Sequence, residues 1–550
     1  MKIIKVFSYF FALLMFISLI NVSYSNICDT CLCSKNGGNV TFNCRGKEIG
    51  DSFKFSLLVP GYDAISHLIL SENELLSLPS YIFEEPKIKK NLKILDLSHN
   101  LLNKTEEDVL NTLQNLEILN LSHNQLQPPT KGIKIPSLQR LSLCYNAIDT
   151  LEKLIEGPHT ELIHLDLSHN DVTTLFNGSL KTAQNIQVLD LSFNKIISLK
   201  TDNFLKLKNL RTLKMDNNSI KEIPASIFPD SLRELDVSFN LLKTLPEHLT
   251  EITFLNVGYN QISTLNHELI NFHQLEHLNI SGNDLETFPN INMKSLKILD
   301  ISYNNLKHIP SSLNLNNLPA LEILIISGNP LRELKFVNLQ LQSLTVKNII
   351  QLESISAESF ENLKSNPGEC LNLTISNNKN LSHVNEKAFS KINVCYVDLS
   401  NNKLENLSPN IIMADKEKLK YGIDLQGNPF KCNCSLQWML NDLVPWIYSL
   451  RPELLNNLRC ASPEGLKSKR MVHFYQWNQK TFCLYDTSFS RMSLEAASVL
   501  ADGSSVTLQT SNGMITVITV TSSLLIILVA IGIIFARKIA VKRVRRNRRF

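Results

Sequence analysis

Cysteine is the most reactive side chain in this sequence, and most of its eleven copies stand in tight groups. Cys28-x-x-Cys31-x-Cys33 is followed by Cys44, and Cys432-x-Cys434 is followed by Cys460 and Cys483. Such spacing serves three chemistries: a redox pair, a zinc site or structural disulfides. Four cysteines in a group allow three connectivities, so spacing alone selects none of them. Catalytic patterns are missing. His267-Glu268 is followed by Leu269-Ile270-Asn271, which does not complete a metalloprotease helix. No P-loop, nucleophile elbow or dinucleotide-binding glycine pattern occurs, and the carboxylates are scattered at a regular spacing. The chain is therefore expected not to be an enzyme and to need no cofactor or metal.

The ends of the chain set the compartment. Lys2 and Lys5 precede an apolar run from Val6 to Ile20, with small residues at Ser23 and Ser25. This is the pattern of a signal peptide over residues 1–25. Met514 to Ala536 contains no charged side chain and ends at Arg537-Lys538. As a helix it would reach about 34 Å, enough to cross a bilayer. Residues 537–550 carry eight Lys or Arg and no acid. The rule that positive charge stays inside places the amino terminus outside, as in a single-pass type I plasma-membrane protein. Removing those eight charges and the two of the leader from a net +4 leaves about −6. An acidic ectodomain excludes nucleic acid as an expected partner. In the oxidising secretory pathway, disulfides are favoured over redox or zinc chemistry.

What must position these groups is a repeat. The phrase L-x-x-L-x-L-x-x-N appears as LKILDLSHN at 92–100, LEILNLSHN at 116–124 and LIHLDLSHN at 162–170. Its final Asn recurs from Asn73 to Asn428, through a degenerate unit with Ile349 in the Asn place, giving sixteen units. This is a leucine-rich repeat. Each unit supplies a short strand whose leucines point inward, and neighbours stack because one unit cannot bury that face alone. The expected fold is an α/β solenoid with a parallel sheet on its concave face. The Asn is expected to turn inward and bond loop backbone. Phe83, Phe204, Phe228, Phe360 and Phe389, ten or eleven residues after the Asn position, are expected to form an aromatic row on the convex side.

The cysteine groups, with GNPFKCNCSLQW at 427–438, resemble the caps of extracellular leucine-rich-repeat proteins. That resemblance implies pairs Cys28–Cys33, Cys31–Cys44, Cys432–Cys460 and Cys434–Cys483. Cys370 and Cys395, at nearly matching places in adjacent units, are candidates for a fifth bridge. Cys144, in LSLCYN, is then left over, as a free thiol or a bridge to another chain. The organisation reads as signal peptide 1–25, amino-terminal cap 26–62, repeats 63–428 and carboxy-terminal cap 429–484. A Ser/Thr-containing stalk 485–513, a span 514–536 and a basic tail 537–550 follow. As a whole the chain resembles leucine-rich-repeat receptors and adhesion proteins, in particular Toll-like receptor ectodomains and the insect proteins chaoptin and connectin. It departs from Toll receptors in that fourteen tail residues cannot hold their signalling domain.

The resemblance implies a recognition or adhesion receptor, or co-receptor, that binds extracellular or cell-surface protein ligands through its solenoid. A signalling co-receptor or a second copy of the chain is a further expected partner. The alternative is an auxiliary subunit of a membrane channel or receptor complex, acting through residues 514–550. Candidate ligand-binding residues on the concave face are Asp166, His169, Asp190, Phe193, Asp236, Phe239 and Tyr259. Glycan acceptors are Asn39, Asn103, Asn120, Asn177, Asn217, Asn279, Asn372, Asn380 and Asn406; Asn433, between two cysteines, is the least suited. The tail arginines Arg545, Arg546, Arg548 and Arg549 are expected to anchor topology. Changing them to Ala should leave the surface level unchanged in flow cytometry; a rise would mark them as a retrieval signal instead.

Overall fold

Strands of two to five residues, at least one per repeat, build the molecule. A computed structural model describes residues 25–484, except 51–54, 57–61, 63, 79–82, 84, 106, 158, 176–179, 181, 202, 266, 367, 414–416 and 478–479. The signal peptide up to residue 24, Asn177, the stalk, the apolar segment 514–536 and the tail lie outside the described residues. Contacts divide the chain into units 1–483 and 484–550, and the first of these holds the repeats and both caps.

Parallel strands run from Asn39–Asn43 through His67–Ile69, Ile94–Asp96 and Ile118–Asn120 to Val394–Asp398 and Ile423–Asp424. Their register is leucine on leucine: Leu68 pairs with Leu95, Leu95 with Leu119, and the line continues through Leu165, Leu189 and Leu213 to Leu373. Each three-residue repeat strand along this line has a buried centre between two more exposed neighbours, as alternation across a pleat requires. The buried leucines form one continuous core. Each contributes about 1.5–3 kcal/mol by leaving water, available only because a neighbour covers it.

The Asn side chains close the turns that follow the strands. Asn240 donates through Nδ2 to the carbonyls of Met215 (2.9 Å), Val237 (3.1 Å) and Ser238 (3.1 Å), and its Oδ1 accepts from the amide of Ile220 at 2.9 Å. Asn100, Asn170, Asn283 and Asn304 repeat the arrangement. Each amide therefore bonds its own turn and the preceding unit. In the degenerate unit Ile349 has only an apolar side chain, and its own amide donates to Asn378 Oδ1 at 2.8 Å.

Two expectations need correction. The convex side is hardly helical: within the repeats, the described helices are the short Pro86–Asn91, Glu107–Leu110 and Asn410–Met413 and a 3-10 turn at His267–Asn271. Units of 20 to 29 residues divide their length among the strand, the Asn turn, and further turns and short extended pieces such as Leu339–Leu341 beside Leu363–Ser365. The fold is thus a parallel β-solenoid more than an α/β one. No helix among the described residues is long and apolar enough to cross a membrane, and segment 514–536 is not among them. The aromatic row is also two runs. Phe204 stacks near Phe228 at 6.0 Å, and Phe336 leads to Phe360 and Phe389 at 6.1 and 5.8 Å. Phe83 is buried as well.

Covers close both ends of the core. Leu32–Asn36 pairs antiparallel with Asn39–Asn43 at the first, where Cys28–Cys33 and Cys31–Cys44 are bonded. At the other, Cys432–Cys460 and Cys434–Cys483 tie a segment containing the helix Val444–Leu450 over the last strand. Phe430 is buried there, and Gln437 Oε1 accepts from the amide of Phe482 at 2.9 Å. Cys370 and Cys395 are bonded across adjacent units.

Asn240→Ala should cost about 2–4 kcal/mol in urea unfolding, because it orphans buried backbone groups in two units. Asn240→Asp should cost a similar amount, since a carboxylate cannot donate to three carbonyls; an unchanged midpoint for either would contradict the role given to the amide.

Candidate ligand-binding face

The turn that brings each Asn inward forces the residue before it into a left-handed backbone. In all sixteen units that residue has positive φ: Glu72, His99, His123, Tyr145, His169, Phe193, Asn217, Phe239, Tyr259, Gly282, Tyr303, Gly328, Asn348, Asn377, Asn401 and Gly427. Asn and Gly suit this conformation. Tyr and Phe do not, and each bulky residue held there costs on the order of 1 kcal/mol or more. Part of that cost is recovered by stacking. His99, His123, Tyr145, His169 and Phe193 form one continuous stack, with centroids 4.0, 4.1, 3.9 and 4.1 Å apart and planes within 10–12°. Phe239 and Tyr259 form a second stack at 4.4 Å. Aromatic pairs contribute about 0.5–1.5 kcal/mol beyond area burial.

Stacking does not bury the rings. Tyr145 and Phe193 are each 45% exposed, Phe239 47% and Tyr259 44%. The units without a ring define the gaps. Tyr259 leans over Gly282, where a Cβ would lie 2.6 Å from its ring, and Tyr303 leans over Gly328 in the same way. Between Phe193 and Phe239 stands Asn217, whose Nδ2 donates to Asp216 Oδ2 at 2.8 Å.

The candidate acids serve the turn. Asp166 Oδ1 accepts from the amide and hydroxyl of Ser168, and Asp190 and Asp236 do the same for Ser192 and Ser238. Asn120 and Asn279 play this part for Ser122 and Ser281. One oxygen of each Asp is thus committed to backbone geometry, and the remaining oxygens of Asp190 and Asp236 face Lys214 at 3.6 Å and Asn256 at 2.8 Å. Of the seven candidate residues, the structure brings His169 with Phe193 and Phe239 with Tyr259 into stacks, and places the three Asp beside them as turn formers. Asp216 was missed by sequence reasoning. Its signal was present: it stands where Ser192 and Ser238 stand in neighbouring units. Burial pushes its carboxyl up, with Asp236 and Asp190 adding to the shift.

At the carboxy end of the sheet face, the cap uses the surface itself. Arg451 lies over the Tyr396 ring at 5.6 Å, and burial pushes the Tyr396 hydroxyl up to about 12. Cys144 is unpaired and partly buried, 3.5 Å from the Ser142 hydroxyl. Burial raises its thiol, which disfavours the thiolate that disulfide exchange requires. Of the glycan acceptors, Asn39, Asn103, Asn372, Asn380 and Asn406 are exposed, and Asn433 accepts from the amide of Ser435. No cluster of metal-ligating side chains occurs among the described residues.

Comparison with known proteins finds the repeat in part of the array. The family model for "Leucine rich repeat" matches residues 63–126, 136–196 and 184–242, and a second of that description matches 295–316. Rat osteomodulin is 29% identical over 38% of this chain and 46% of its own length. Mouse CD180 antigen is 26% identical over 44% of this chain and 38% of its own. Lumican of Coturnix japonica is 32% identical over 42% of this chain and 64% of its own. The chain thus spans less than two thirds of each of these relatives. Among solved structures, the Drosophila Toll–Spatzle complex gives a TM-score of 0.48 at 19% identity, covering 75% of this chain and 60% of that one.

Burial lowers the pKa of His164 and His277, and burial followed by the charges of His99 and His169 lowers that of His123. A depressed imidazole binds its proton less readily in the folded chain, so its contribution is present above the ordinary value of 6.5 and is lost as pH falls below it. The melting temperature should therefore drop between pH 7.5 and pH 6, and His123→Phe, which keeps the stack, should lessen the drop. A pH-independent melting temperature would contradict this.

The repeat phrase and the Asn-bonded turns show leucine-rich repeats, and the chain is similar to extracellular proteins that carry them.

Proposed function

We propose that the chain is a cell-surface recognition or adhesion receptor, or a co-receptor, that binds protein ligands along the ring-bearing turns of its solenoid. One observation carries this reading: the rows of stacked, nearly half-exposed rings at backbone positions where Asn or Gly would cost less. Rigid aromatic side chains lose little entropy on contact and supply much of the energy of protein interfaces. Disulfide-tied caps suit an extracellular setting. The apolar segment 514–536 and the basic residues after it support a single span with the solenoid outside.

Cells displaying the full chain, screened against a library of extracellular proteins, should yield at least one saturable binder. The triple change Phe193→Ala, Phe239→Ala and Tyr259→Ala should weaken that binder about tenfold or more at unchanged surface level. Saturable binding that the triple variant keeps at full strength would contradict the assignment of this face.

A further inference from the structure

The gap in the ring rows has the chemistry of a site. Phe193 ends one stack and Phe239 begins the next, with a single unit between them. Two repeat intervals separate their rings, so the planes lie roughly 8–10 Å apart by strand spacing. That opening accepts one flat group stacked on both sides. Asn217 stands between them with a carboxamide, which is shorter than a ring, bonded to Asp216 at 2.8 Å. Both walls are exposed.

Charge selects the occupant. Asp216 is half-buried beside Asn217, and Asp190 and Asp236 lie close enough to push its carboxyl up. Among the described residues Lys214 pairs into this group, on Asp190 at 3.6 Å. Three carboxylates against one ammonium favour a positive ligand. The parallel walls favour a planar one, and guanidinium is planar, weakly hydrated and stacks on aromatic faces, whereas ammonium is compact and strongly hydrated. We propose that the slot between Phe193 and Phe239 receives an arginine side chain of a protein partner, its guanidinium stacked between the rings and its charge facing Asp216. This deepens the receptor reading and rests on it.

The test uses the full chain in detergent and two short probe peptides, Arg-Gly-Arg-Gly-Arg-Gly and its lysine counterpart, measured by titration calorimetry. The arginine peptide should bind at least fivefold more tightly than the lysine peptide. Asn217→His should remove that preference, because His occupies this backbone position at 99, 123 and 169 and would fill the slot with a ring. Ser219→Ala, which deletes the glycan acceptor but keeps the slot, should preserve it. Equal binding of the two peptides, or a preference that survives Asn217→His, would overturn the proposal. So would a sugar found on Asn217 by peptide mass spectrometry, since it would occupy the opening. None of these results would touch the triple ring variant, whose loss of binding tests the receptor reading separately.

Discussion

The ring-bearing side of this molecule depends on the side-chain amide of Asn. A chain that turns out of a strand after three residues leaves carbonyls and amides pointing into a core that water cannot enter. The amide of Asn240 meets four of them at once, in its own unit and the one before. The preceding residue is left-handed in all fifteen units that carry the Asn, and the degenerate unit keeps the same backbone at Asn348 before Ile349. That residue's side chain is then presented outward at the same point in every unit. The ring rows are thus a consequence of core chemistry: the amide fixes the backbone, the backbone aligns the side chains, and the sheet spacing brings those side chains within stacking distance.

The alignment has a cost that differs along the array. Asn348, Asn377, Asn401 and Gly427 fill the later units with residues that tolerate the conformation. From His99 to Tyr303 most units carry a ring instead, at some expense in backbone energy. Stacking repays part of it within the fold. Exposed edges and end faces remain. The carboxy-terminal stretch, where Arg451 already covers Tyr396, offers less.

The repeat was legible because it rests on period and residue type, whereas the cap pairings followed from their resemblance to the caps of extracellular leucine-rich-repeat proteins. Leu at fixed spacing makes the strands, and Asn at fixed spacing makes the turns. The α/β reading implied more helix than the described repeats carry, because the repeat phrase fixes the strand and the Asn turn and leaves the rest of each unit unspecified. Phe336 was passed over because it stands seven residues after Asn329, not ten. The role of Asp166, Asp190 and Asp236 was hidden for another reason: an exposed acid and a turn-forming acid are the same letter, and only the bond to Ser168, Ser192 or Ser238 separates them. The stacking was hidden because nothing in an isolated His or Phe reports a positive φ. The slot at Asn217 follows from that stacking and could not precede it.

Hydroxyl-radical footprinting of the full chain, free and bound to a protein partner, tests the central claim most directly. It reads Phe193, Phe239 and Tyr259 together with Tyr448 and Trp477, exposed rings of the carboxy-terminal cap that serve as internal references. If the ring-bearing turns are the binding face, the partner protects the first three and leaves Tyr448 and Trp477 as reactive as before. Protection of the cap rings with Phe193, Phe239 and Tyr259 unchanged would contradict it.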